Sequence, residues 1–126
     1  MKGRCECDRV RFEVAAVRDT ATVCHCSQCR RTSGHLWSPT HSLYKALQFE
    51  TKDGLEWYAS SEQAHRGFCL FCGSSLFYRM NGEDGIGIAA GCLESTAGLR
   101  LGKHIFVADK GCYYDISDGL PAFEQG

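Results

Sequence analysis

Apolar and polar residues alternate along Val10-Arg11-Phe12-Glu13-Val14, the period of two that marks a strand with one buried face. Leu47-Gln48-Phe49 and Glu56-Trp57-Tyr58 flank Lys52-Asp53-Gly54, and turn residues between two such runs predict a hairpin. Ser75 to Met80 and Ile86 to Ala90 flank Asn81-Gly82-Glu83-Asp84-Gly85 and predict a second one. His104 to Ala108 reads as a late strand. Helical signal is thin: Ser27 to Thr32 supports one short turn after Cys26, and Leu93 to Leu99 another, bounded by Gly91 and Gly98. Short strands at this spacing predict a mainly β chain of hairpins. No repeat or linker divides it, so residues 1–126 form one domain, with a polar tail expected to be mobile after about Pro121.

Charge narrows the picture by exclusion. Lys and Arg total 14 against 15 Asp and Glu, a formal net charge of −1, which offers no electrostatic footprint for nucleic acid. No run approaches the roughly 18 apolar residues of a membrane span. The start of the chain, with Lys2, Arg4, Glu6, Asp8 and Arg9, lacks the pattern of a secretory signal. The expectation is a soluble, cytoplasmic protein whose partners are small molecules, with no nucleic-acid and no membrane partner.

Cysteine changes the picture most. The chain holds nine, an odd number that argues against a full disulfide framework. Seven fall into tight groups: Cys5 and Cys7; Cys24, Cys26 and Cys29; Cys69 and Cys72. Zinc favours tetrahedral thiolate sites, and short pairs supply two ligands from one turn. Cys69-Leu-Phe-Cys72-Gly73 has the form of a zinc knuckle. In an extended strand, Cys5 and Cys7 would face the same side. Spacing alone leaves two partitions. Cys5 and Cys7 can share an ion with Cys69 and Cys72, leaving Cys24, Cys26 and Cys29 as a second site. Alternatively, Cys26 and Cys29 can join Cys69 and Cys72 as a zinc ribbon, orphaning three thiols.

Further motifs carry a resemblance. Cys5-x-Cys7 precedes Val10-x-Phe12. Cys24-His25-Cys26-Ser27-x-Cys29-Arg30-Arg31-x-x-Gly34 follows, then Ser60-Ser61 leading to Arg66-Gly67-Phe68-Cys69-x-x-Cys72-Gly73. Gly91-x-Leu93-Glu94 and His104-Ile105-Phe106-Val107 complete the set. Together these residues resemble the glutathione-dependent formaldehyde-activating enzymes, also called the centromere protein V family. The resemblance implies an Mss4-like arrangement of β-hairpins stapled by a structural zinc. It also implies two Zn²⁺ per chain: Cys5, Cys7, Cys69 and Cys72 match the structural ligands, and Cys24, Cys26 and Cys29 the catalytic ones. Four protein ligands close a zinc site, whereas three leave a position for water or substrate.

The activity that the resemblance implies is of carbon–sulfur lyase type: glutathione, as co-substrate, condenses with formaldehyde or a related small electrophile to S-(hydroxymethyl)glutathione. The alternative is a non-catalytic zinc module that binds a protein partner, as Mss4-like domains can. A redox cycle of Cys26 and Cys29 is disfavoured, because a metal would hold those thiols reduced and occupied. Arg30 and Arg31 are candidates for binding a glutathione carboxylate or offsetting cluster charge, or they are solvated surface arginines. His25 is a candidate proton shuttle, although a strand-like Cys-x-Cys would turn it away from the metal. His104 reads as a packed, hydrogen-bonded histidine, and His35 and His41 as residues that could line a cleft beside Trp37. Cys92 reads as a small buried residue, and Cys112 has no role. Asp8 and Tyr113 stand where the family has glycine and tryptophan.

Overall fold

The computed structural model describes residues 1–126. Ten short strands and one helix follow in the order β1 (Lys2–Arg4), β2 (Arg11–Val14), β3 (Thr20–Cys24), α1 (Ser27–Ser33), β4 (Pro39–Leu43), β5 (Leu47–Thr51), β6 (Leu55–Ala59), β7 (Ala64–Cys69), β8 (Ser75–Met80), β9 (Gly85–Ala89) and β10 (Arg100–Ile105). They form a three-stranded sheet β1-β2-β5, a two-stranded parallel pair β10-β3, and a five-stranded antiparallel sheet β4-β9-β8-β7-β6. The chain is mainly β. None of its helices is long and apolar enough to cross a membrane.

The alternation in β2 does what its period predicts: Phe12 and Val14 are buried, and Arg11 and Glu13 are exposed. Phe12 meets Phe77 of β8 edge-on at 5.2 Å, and Phe49 of β5 meets the same ring at 6.0 Å. Trp57 stacks on Phe77 from the β6 side at 5.8 Å. These aromatics, with Val10, Val14, Leu47, Leu76, Ile86 and Ile88, form the main core between the three- and five-stranded sheets. Cys5 and Cys69 belong to the same buried cluster.

The expected hairpin at Asn81 to Gly85 is present, with β8 and β9 antiparallel and Phe77 opposite Ile88. The other expected hairpin is not. β5 pairs with β2, and β6 pairs with β7, so the chain crosses from one sheet to the other at Lys52 to Gly54. Backbone hydrogen bonds pin that crossing to both neighbouring turns: Gly54 N–H donates to Arg9 and Leu70 N–H donates to Gly54. The late strand lies earlier than expected, because Val107–Asp109 forms a 3₁₀ turn beyond β10. No helix forms at Leu93 to Leu99; a 3₁₀ turn at Ala90–Cys92 precedes that stretch. The segment after Pro121 is laid against β10: His104 N–H donates to Pro121 O at 2.8 Å, and Phe123 N–H donates to His104 O at 3.0 Å.

Candidate metal centres and the cleft

Two sulfur clusters emerge. Cys5, Cys7, Cys69 and Cys72 bring their Sγ atoms within 4.8 Å of one another, and Cys24, Cys26 and Cys29 do the same separately. Cys26 and Cys29 therefore do not share a cluster with Cys69 and Cys72. Cys7 Sγ lies 3.7 Å from both Cys5 Sγ and Cys69 Sγ. That spacing matches the edge of a tetrahedral thiolate site, about 3.8 Å for metal–sulfur bonds of about 2.3 Å. It is far too long for a disulfide, whose sulfurs lie about 2 Å apart. Both clusters fit a divalent metal ion.

The four-cysteine cluster sits where the β1–β2 turn, the β5–β6 crossing and the β7–β8 turn converge. Cys5 and Cys7 lie in a turn beyond β1 rather than in the extended strand expected from their spacing. Asp8 closes that turn with φ 71°, the left-handed conformation that glycine adopts freely and that aspartate tolerates better than most residues. Gly73 makes the matching left-handed turn after Cys72 at φ 79°. Backbone N–H groups point at sulfur, as from Val10 to Cys5 Sγ at 3.3 Å. Burial pushes the Cys72 thiol up, but hydrogen bonds to the Ser74 side chain and backbone outweigh it and lower the group to about 5. Cys92, packed nearby, is pushed up to about 12 by burial and by Cys5 and Cys72, so it stays an inert thiol.

Gly54 is required here for space. A Cβ on it would lie 2.7 Å from Cys69 Sγ and 3.2 Å from Arg9 Cβ. Gly54→Val is expected to weaken metal binding at this cluster and to cost about 1–3 kcal/mol from overpacking. Thermal denaturation with bound-metal analysis checks this; an unchanged midpoint and full metal content would contradict it.

The three-cysteine cluster is built differently. β3 ends on Cys24, whose backbone pairs with Trp37 through hydrogen bonds of 2.9 and 3.1 Å. Cys26 is the N-cap of α1, its Sγ accepting from Cys29 N–H at 3.2 Å. Gly34 ends the helix at φ 88°. One turn from the cap, Cys29 faces inward and is 2% exposed. Hydrogen bonding from Cys24, then from Cys26 and Arg66, outweighs burial and lowers the Cys29 thiol to about 6. The Cys24 thiol is raised by its bond to Cys29 and by burial.

These sulfurs lie at one side of a cleft of about 530 Å³. Trp37, Pro39, Tyr78, Ile105 and Phe106 wall it, and Arg18, Lys103, Arg66, His41 and Asp109 bring charge or polarity to it. Burial, with Arg18 and Lys103, lowers the His41 pKa and keeps its ring neutral. Arg30 and Arg31 do not line the cleft. Successive helical residues rotate by about 100°, so positions following an inward Cys29 turn away. Arg31 instead reaches back to Ser27 O at 3.4 Å, on the exposed side.

The guanidinium beside the thiols belongs to Arg66 of β7, whose Nη2 lies 3.5 Å from Cys29 Sγ. In sequence Arg66 is one charged residue ahead of the Cys69-x-x-Cys72 knuckle; only its burial and its neighbours single it out. His25 points away from the sulfurs. Its Nε2 meets His104 Nδ1 at 2.8 Å, its Nδ1 meets Tyr114 Oη at 2.5 Å, and His104 Nε2 meets Asp118 at 2.8 Å. His35 bonds Tyr113 Oη at the surface, and Cys112 is exposed.

A mainly β chain with one four-cysteine and one three-cysteine cluster, each able to hold a metal ion, defines the class, and sequence comparison names the family. A family model for the glutathione-dependent formaldehyde-activating enzyme matches residues 1–109, and the chain belongs to this family. It is 25% identical over 127 residues to a Schizosaccharomyces pombe protein named as an uncharacterized lyase, covering 97% of this chain and 89% of that relative. A crystal structure of a Rhodobacter sphaeroides protein shares the fold, with a TM-score of 0.65 at 21% identity over 98% of this chain and 99% of that one.

Proposed function

We propose that the chain is a zinc-dependent carbon–sulfur lyase-type enzyme that condenses glutathione with formaldehyde, or a related small carbonyl electrophile, to S-(hydroxymethyl)glutathione, and reverses the reaction. Cys5, Cys7, Cys69 and Cys72 would hold a structural zinc, and Cys24, Cys26 and Cys29 a catalytic one. The observation that carries the reading is the unequal pair of clusters: four sulfurs close one site, and three border a cleft.

Zinc, when bound, supplies a centre at which a thiol gives up its proton. In the overall reaction the sulfur–carbon bond forms, the carbonyl π bond opens, and the proton from sulfur ends on oxygen; nothing is oxidised or reduced. Glutathione carries two carboxylates and one ammonium group. The cleft answers with Arg18 and Lys103 against Asp109, a matching distribution of charge. Trp37, Ile105 and Phe106 keep water from the reacting atoms. Neutral His41 also lines the cleft, where an imidazole is suited to exchange a proton with the product oxygen.

Two-dimensional exchange NMR on formaldehyde hydrate and glutathione, with and without protein, tests the reading. Protein loaded with zinc to near two ions per chain should accelerate the interconversion. No glutathione binding and no rate gain would replace the enzyme by a binding module.

A further inference from the structure

Arg66 is a buried cation with no acid. It is 5% exposed, and no carboxylate pairs with it; the ion pairs of the chain lie elsewhere. Its guanidinium stays protonated in any protein environment, and a buried charge needs compensation. Of its hydrogen-bond partners, Cys29, 3.5 Å from Nη2, is the one that can carry negative charge. Its aim is fixed: Nε donates to Gln28 Oε1 at 2.7 Å, and Gln28 Nε2 donates to Ser60 O at 2.8 Å. Trp37 and Tyr78 flank the cation with ring centroids at 5.4 and 5.0 Å. Nη1 is buried and has no partner. A side chain held this firmly, on the wall of the cleft and with one donor unspent, is built for the cluster rather than for the strand that carries it.

We propose that Arg66 is the fixed counter-cation of the three-cysteine centre, donating a hydrogen bond to the Cys29 ligand and leaving an incoming thiolate as the unshielded sulfur of the cleft. This rests on the reading of that cluster as a metal centre. Three thiolates around a divalent ion leave a net charge of about −1, as simple charge counting on the thiolate ligands of a zinc site requires, and the guanidinium neutralises it. A sulfur made less basic is also a weaker nucleophile. The electrophile then meets the substrate's sulfur before it meets Cys29, and the protein is spared alkylation by its own reactant. Arg66 acts through Cys29 and is a positioning residue.

The test uses Co²⁺ alone as the metal probe, with chelator competition resolving the two clusters, and residue-resolved iodoacetamide labelling of the metal-loaded protein. Arg66→Met should weaken Co²⁺ binding at the three-cysteine cluster by about 10–100-fold, the usual effect of removing a group that supports a metal ligand. The four-cysteine cluster should be unaffected. Labelling should rise at Cys29 and stay unchanged at Cys24 and Cys26. Arg66→Lys, which keeps the charge, should recover most of the affinity. The proposal is overturned by wild-type affinity in Arg66→Met, by Arg66→Lys binding as weakly as Arg66→Met, or by labelling that rises equally at all three cysteines. Wild-type protein that takes Co²⁺ only at the four-cysteine cluster would remove the metal reading itself, a different failure from the others. Should Arg66→Met not fold, Gln28→Ala frees the guanidinium from its aim. Selective labelling of Cys29 would then support the proposal, and unchanged affinity with unchanged labelling would overturn it.

Discussion

Cys69→Ser is expected to give a chain that does not fold, while Cys29→Ser folds and loses one metal ion. Cys69 is fully buried in the main core and lies 3.7 Å from Cys7 Sγ. Its cluster ties the turn after β1 to the turn after β7, across 62 residues of chain, and so joins the two larger sheets. Metal binding at a structural thiolate site contributes on the order of 10 kcal/mol at neutral pH. The whole stability of a domain is about 5–15 kcal/mol. Losing one of four ligands therefore removes a share comparable to the total.

Cys29 sits in a different balance. Its cluster packs with Trp37 and Ala89 in a small satellite core, and α1 keeps both of its caps when Cys29 changes. Serine retains a polar atom toward Arg66, and a buried substitution of this kind costs about 1–3 kcal/mol. Soluble yield, far-UV circular dichroism and metal content per chain separate the two variants. Equal solubility with equal metal loss would sink the division into a folding cluster and a functional one.

What the residues disclosed in advance follows from how local each signal is. Strand β2 was legible because one buried face imposes a period of two within five residues, and β8 and β9 because the turn residues Asn81 to Gly85 separate two apolar runs. The cysteine groups were legible because short spacings force their sulfurs together whatever the surrounding backbone does. The β5–β6 hairpin was misread for a physical reason: two strands around Lys52-Asp53-Gly54 look the same whether the chain turns back or crosses between sheets. The choice is made by β2 and β7, which are remote in sequence. Arg66 stands in the sequence only as part of a motif, since an arginine in a strand gives no sign of being buried. Its role depends on Gln28, Trp37 and Tyr78, none of them close in sequence. The polar tail after Tyr113 hid its anchors in the same way.

Those anchors make His104→Ala the second large effect. The hydrogen bonds run one way along four side chains. Asp118, a carboxylate, accepts from His104 Nε2–H; His104 Nδ1 is then the acceptor for His25 Nε2–H, and His25 Nδ1 accepts from Tyr114 Oη–H. That order is the one neutral rings make, in keeping with burial, which together with His104 lowers the His25 pKa. The bond from His104 holds the Asp118 carboxyl below the usual range. A depressed carboxylate contributes stability above its unfolded value, about 3.9, and loses it as pH falls through the lower native one. Removing the His104 ring leaves His25, 1% exposed, with a buried unpaired donor, and frees Asp118 from β10. The cost should be about 2–4 kcal/mol from the broken bonds and the cavity together. Urea unfolding measures that loss, and hydrogen exchange locates it: the Phe123 amide, bonded to His104 O at 3.0 Å, should lose protection while amides of β8 and β9 keep theirs. Because His25 lies between Cys24 and Cys26, metal should also leave the three-cysteine cluster faster than the four-cysteine one. Unchanged stability, or protection lost evenly across the sheets, would mean that the relay merely fills space behind the cleft.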